Sequence, residues 1–255
     1  MRHRFVFIHG WGGSRNSLGA LAKELQRLFP QGSDLSLYML ELPGFGDTPI
    51  VEELNLKAYG KFVLENISLI DGATDDSIQL VFIGHSVGGK ILLQLASSAN
   101  LPTHSQLVLI DSSGINPKNS LKKNAFKFIS SLYAPLKLLL LRLGLGKLQD
   151  FLQRVFYKFV VRARDYEKLN DKPLLKTTFK NIIEEHISIE RLQRIAQKVL
   201  ILWGADDQVT PAWMATELND NIKNSEKIII PNGKHGLPLQ QPELCAKYIF
   251  NFLQN

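Results

Sequence analysis

The sequence predicts an α/β fold, a mostly parallel sheet of about six strands with helices on both faces, interrupted by one inserted all-helical segment. Short apolar runs rich in β-branched residues recur at 5–8, 36–40, 80–83, 107–110, 199–203 and 227–230. Their near-continuous apolarity, without alternation, is that of strands covered on both faces. Amphipathic helical stretches lie between them at 17–29, 56–70, 88–99, 213–221 and 242–253, which implies right-handed crossovers and parallel pairing. The alternation breaks once. Between Asp111 and Lys198 only helix-period runs occur, at 121–132, 136–143, 148–161, 174–183 and 189–196. The expected organisation is therefore a core of residues 1–113 and 197–255, with 114–196 inserted as a helical cap over the carboxyl edge of the sheet.

Taken in chain order, Arg2 and Arg4 precede the first apolar run as basic residues precede a signal sequence. The run is only one strand long, too short for that role. It ends in His9-Gly10-Trp11-Gly12-Gly13, a glycine-rich turn that frees the backbone N–H of Trp11. A phosphate-cradling loop would look similar, but the Gly-Lys-Ser/Thr ending is missing. The second run leads into Leu42-Pro43-Gly44-Phe45-Gly46.

The third run opens directly into Gly84-His85-Ser86-Val87-Gly88 and then a helix-like stretch. A serine between glycines at a strand-to-helix seam reads as a nucleophile elbow, with an ordinary glycine-rich turn as the alternative. The turn is so sharp that a Cβ at a flanking position would meet neighbouring backbone. The helix that follows aims its free N–H groups, that of Val87 first, at charge developing on a substrate oxygen.

A serine hydroxyl is a weak nucleophile and needs a base oriented by a carboxylate. Among the six histidines, His235 falls on the loop between the last strand and the last helix, where it can swing over the sheet edge. His9 and His85 read as structural, and His3, His104 and His186 as surface or cap residues. For the acid, Asp207 follows the fifth strand in Trp203-Gly204-Ala205-Asp206-Asp207, with Asp206 as a turn cap. Asp111 is the alternative acid, because it too ends a strand at the carboxyl edge.

The order Ser86, Asp207, His235 and the motifs around them resemble the α/β-hydrolase superfamily, across the whole core. The resemblance implies Ser86 as nucleophile, His235 as base, Asp207 as orienting acid, and Trp11 and Val87 as oxyanion-hole donors. It also implies a sheet lacking the family's first hairpin. Where relatives often have an aromatic residue after the histidine, this chain has Gly236-Leu237-Pro238. A serine at the elbow argues against dehalogenase and epoxide-hydrolase chemistry, which use an aspartate there. The expected activity is hydrolysis of a carboxylic ester or thioester with an apolar acyl part. Carbon–carbon bond hydrolysis, other acyl transfer, and a non-catalytic small-molecule-binding protein on the same scaffold stay open. No cofactor or metal is implied.

The net charge of +6 is unevenly spread: residues 115–180 hold 15 Lys/Arg and 4 Asp/Glu, a balance of +11 that leaves −5 elsewhere. Within this segment the stretch 136–148 is leucine-rich, with cations five residues apart. It fits a lid lining an acyl pocket, a helix lying on an anionic membrane surface, or leucines packed on the core under a solvated face. The basic balance could also steer an acidic carrier protein. The esterase of biotin synthesis, whose acyl chain rides on such a carrier, shares the features His9 to Gly12 and Leu42 to Gly46. Nucleic acid is not expected, since no binding module is recognisable. The single Cys245 forms no intrachain disulfide, and no apolar stretch reaches the roughly 20 residues of a bilayer span, so a cytoplasmic protein is expected.

Overall fold

The computed structural model describes residues 2–73, 75–115, 136, 139–140, 142–155, 169 and 171–254. The helical run expected at 121–132 lies outside these residues, as do parts of those at 136–143 and 148–161. Six strands, β1 (Arg2–Ile8), β2 (Leu35–Leu40), β3 (Ile78–His85), β4 (Gln106–Ile110), β5 (Lys198–Gly204) and β6 (Ser225–Ile230), form one sheet of order β2-β1-β3-β4-β5-β6. Every neighbouring pair is parallel. The helices are α1 (Gly19–Leu28), α2 (Leu56–Ile67), α3 (Val87–Ala96), α4 (Gly146–Val155), α5 (Pro173–Glu184), α6 (Ile189–Leu192), α7 (Trp213–Asn221), α8 (Leu237–Gln240) and α9 (Pro242–Gln254).

Strand side chains alternate between two cores. Val6, Ile8, Leu80, Phe82, Leu107 and Leu109 face one way, against α2, α3, α5 and α7. Phe5, Phe7, Val81, Ile83, Val108 and Ile110 face the other, against α1 and α9. The period of two is that of any strand, and apolar residues on both faces explain why the sequence shows no alternation.

Helix ends depart from expectation for local reasons. The stretch from 17 begins as a 3-10 turn, Arg15–Leu18, capped by Ser14, whose hydroxyl accepts from Asn16 N–H, before α1 proper. The run from 189 ends at Leu192 because Arg194 and Ile195 bond carbonyls three residues back and tighten the chain. His3, expected at the surface, is buried in β1 between Phe5 and Phe29. Arg4 is buried too, its guanidinium 2.7 Å from Asp34 Oδ1. Cys245 is fully buried in α9, and burial pushes its thiol up to about 12.

β4 and β5 pair in continuous register from Gln106↔Lys198 to Ile110↔Leu202 although residues 111–197 separate them in sequence. Before β5, α5 packs on the core. Thr178 Oγ1 accepts from Leu54 N–H at 2.8 Å, Glu185 Oε1 accepts from Leu56 N–H at 2.9 Å, and buried Lys90 on α3 donates to Ile182 O. Each bond ties a polar group to backbone that would otherwise lack a partner. No helix among the described residues is long and apolar enough to cross a membrane.

Candidate active site

The carboxyl ends of β1, β3, β4, β5 and β6 converge on one place. At the end of β3, Ser86 adopts φ 52° and ψ −114°, a conformation side chains rarely take. Its N–H donates to Ile110 O at 3.0 Å, and its carbonyl accepts from Ser113 N–H at 3.1 Å. The flanking glycines are sterically required: a Cβ at Gly84 would lie 2.6 Å from Gly89 N, and one at Gly88 would lie 2.2 Å from Ile8 O. On the other side, a Cβ at Gly10 would stand 3.0 Å from Ser86 Cβ, so the His9–Gly13 turn lies directly against the elbow. Val87 is the first residue of α3, and its N–H has no acceptor within the helix.

His235 stands after β6, and its ring lies between the serine and a carboxylate. Nε2 is 3.0 Å from Ser86 Oγ, and Nδ1 is 2.8 Å from Asp207 Oδ2. A carboxylate facing Nδ1 fixes the proton there, so Nε2 presents its lone pair to the hydroxyl. Asp207 Oδ1 accepts from Val209 N–H at 2.7 Å and Thr210 N–H at 2.9 Å. Burial works to raise this carboxyl, but the bonds from His235 and Thr210 hold it below the ordinary range. The arrangement suits proton transfer from Ser86 to His235 with an ionised carboxylate steadying the imidazolium.

Asp111 is placed differently. It has φ 46° and is fully buried, Oδ1 accepting from Gly204 N–H at 2.9 Å and Oδ2 from Leu237 N–H at 3.4 Å. Burial pushes its carboxyl up to about 8, which favours the protonated form. Of the two carboxylates proposed from sequence, it is Asp207 that bonds to His235. His85, Asp111 and His235 each offer one ligand atom within 4.8 Å of the others, the one cluster with metal-ligating spacing among the described residues. Its members are already engaged: His85 by His235 O, Asp111 by two backbone N–H groups, and His235 by Ser86 and Asp207.

One contributor, Thr210, went unread in the sequence, and the sequence reading of His85 as structural did not extend to its partner. Thr210 Oγ1 lies 2.7 Å from Asp207 Oδ2, 3.1 Å from His235 Nδ1 and 3.0 Å from the Asp111 carbonyl, bracing the carboxylate and the imidazole together. His85 Nε2 donates to His235 O at 2.7 Å, anchoring the backbone of His235 to the residue before Ser86. Burial lowers the His85 ring to about 4, so it serves as a neutral donor. A short helix, α8, follows His235 where the sequence suggested only a loop.

The neighbouring wall is aromatic. Trp11 meets Phe45 edge-on at 4.9 Å and Phe179 of α5 at 4.7 Å. His9 is structural: Nε2 accepts from Leu42 N–H at 3.1 Å, and Nδ1 donates to Gly10 O at 2.7 Å. The loop beyond Leu42 is fixed by buried Glu41, which accepts from the Arg15 side chain, Arg15 N–H and Asp47 N–H and is held at about 2. A cleft of about 490 Å³ opens between this loop and the start of α5, lined by Gly44, Ile50, Pro173 and Leu175 among others, and by neither Ser86 nor His235.

Comparison with known proteins agrees with this architecture. The chain is 25% identical to the hydrolase YugF of Bacillus subtilis over 99% of this chain and 90% of that one. It is 22% identical to the pimeloyl-[acyl-carrier protein] methyl ester esterase of Neisseria meningitidis over 98% of this chain and 93% of the relative. Among solved structures it is similar to a lipase-esterase related protein from Clostridium acetobutylicum, with TM-score 0.66, 20% identity, and coverage of 98% and 94%. The model of the alpha/beta hydrolase family matches residues 5–248, and with the parallel sheet and the elbow in place the chain belongs to that family as a hydrolase.

Proposed function

We propose that this hydrolase cleaves a carboxylic ester or thioester with an apolar acyl part through an acyl-enzyme on Ser86. The observation that carries the reading is the unbroken chain from Ser86 Oγ to His235 Nε2, 3.0 Å, and from His235 Nδ1 to Asp207 Oδ2, 2.8 Å. His235 takes the serine proton as Oγ attacks the acyl carbon, then returns it to the leaving group. Water repeats the exchange and releases the acid. The N–H groups of Trp11 and Val87 receive the negative charge that develops on the carbonyl oxygen. Val87 at the start of α3, and the turn at Gly10 packed on Ser86, support that role.

The apolar preference rests on Trp11, Phe45 and Phe179 beside the elbow. Residues 114–196 act in this reading as a cap whose last long helix, α5, forms that wall. The test is a panel of acyl esters and thioesters of graded length, including an acyl-carrier-borne methyl ester, run on wild type and Ser86→Ala together with fluorophosphonate labelling. Labelling and turnover that both disappear in Ser86→Ala are expected. Undiminished turnover in the variant, or wild type that neither labels nor turns over, would refute the mechanism.

A further inference from the structure

We propose that the face carrying Leu136, Leu139, Leu143, Leu145, Leu148 and Phe151 docks this protein on an anionic lipid bilayer. The described molecule exposes thirteen large apolar side chains, and six of them fall within these sixteen residues, each 42% to 61% exposed. Scattered exposed leucines are ordinary on a soluble protein, but such a concentration is not. Positions 136, 139 and 143 recur at helical spacing, as do 145, 148 and 151 on and before α4. A turn at Gly144, φ 70°, joins the two pieces. Leu140, between them in sequence, is buried, so the segment has an inward residue and a separate outward set.

Charge selects the occupant. Arg142 and Lys147 are exposed among these leucines, and in sequence they belong to the stretch 115–180, which carries +11 in a chain otherwise at −5. A second copy seated on the same face would bring Arg142 and Lys147 against their own counterparts. An acidic protein would match the charge but offers no apolar phase for six bulky side chains. An anionic bilayer supplies both, phosphate at the surface and acyl chains beneath, and takes leucine and phenylalanine to a shallow depth while arginine and lysine stay at the headgroups. Docking does not depend on the hydrolytic reading, so Ser86→Ala binds vesicles as wild type does.

The test is co-sedimentation of the full chain with vesicles of phosphatidylcholine alone and of phosphatidylcholine with phosphatidylglycerol, at low and high salt. Wild type is expected to sediment with the anionic vesicles and to be released by salt. Leu143→Asp with Leu148→Asp lowers partitioning at least about tenfold, while circular dichroism and turnover of a short soluble ester are unchanged. Arg142→Gln with Lys147→Gln lowers it about fivefold per side chain. The proposal is overturned if wild type ignores anionic vesicles, or if the aspartate variant sediments like wild type. It is also overturned if sedimentation velocity shows, without vesicle binding, a dimer that the aspartate variant abolishes, or if the face binds an acidic carrier protein but no vesicle.

Discussion

Gly88→Ala should disable the site without touching any of its side chains. The added Cβ would lie 2.2 Å from Ile8 O and 2.8 Å from His9 O, where ordinary contact begins at 3.4 Å. Both are backbone atoms at the end of β1, which is held in register by β2 on one side and β3 on the other. The strand cannot retreat, so α3 must move by about 1 Å, and Ser86 immediately precedes α3. Overpacking of this kind costs about 1–3 kcal/mol, or about 2–12 °C in Tm for a chain of this size. The larger effect is on rate, since a shift of about 1 Å in a reacting group costs on the order of a hundredfold. The assays are thermal unfolding and kcat/KM on a short ester, with Gly19→Ala as the matched control. Gly19 begins α1 at φ −63° with open space around its missing Cβ, so alanine there is neutral or stabilising by up to about 1 kcal/mol and leaves turnover alone. A Gly88→Ala protein with wild-type Tm and full turnover would refute the argument from close approach.

Asp207→Asn should lower kcat by about 10³–10⁴, and Asp111→Asn by far less, in the same ester assay. Comparable losses would mean the acid is wrongly assigned. Asp111 also predicts a pH dependence. The folded chain keeps its proton up to about 8, whereas an unfolded aspartate releases it near 3.8, so this group's contribution to stability falls as pH rises between those values. Urea midpoints measured across that window should fall less steeply for Asp111→Asn than for wild type. Glu41 has the opposite sign: held at about 2 against an ordinary 4.5, it stabilises fully above 4.5 and loses that contribution as pH falls towards 2. Glu41→Gln should flatten this acid limb in chemical unfolding, and an unchanged limb would place the acid sensitivity elsewhere.

The sheet was legible because its strands are buried on both faces and so stand out as apolar runs, and all six appear within a few residues of where the sequence puts them. The elbow was legible for a steric reason: Gly84 and Gly88 occupy positions that no other residue fits. Adjacency of Ser86, Asp207 and His235 could be anticipated because each follows a strand at the same sheet edge. Thr210 and the bond from His85 to His235 O could not, since both depend on how neighbouring loops pack rather than on any local pattern. Hydrophobic periodicity likewise could not tell leucines that face the core from leucines that face outward. Leu140 is buried, whereas Leu139 and Leu143 are exposed.

The conformation of Ser86 has a consequence for the molecule as a whole. A non-glycine residue held at φ 52° and ψ −114° carries about 1–3 kcal/mol of strain. A domain's total stability is only about 5–15 kcal/mol, so this one residue holds back a sizeable fraction of it. Fold robustness and a poised hydroxyl are therefore set against each other at one position. Any lineage freed from the need for the hydroxyl would gain stability by replacing Ser86 with glycine.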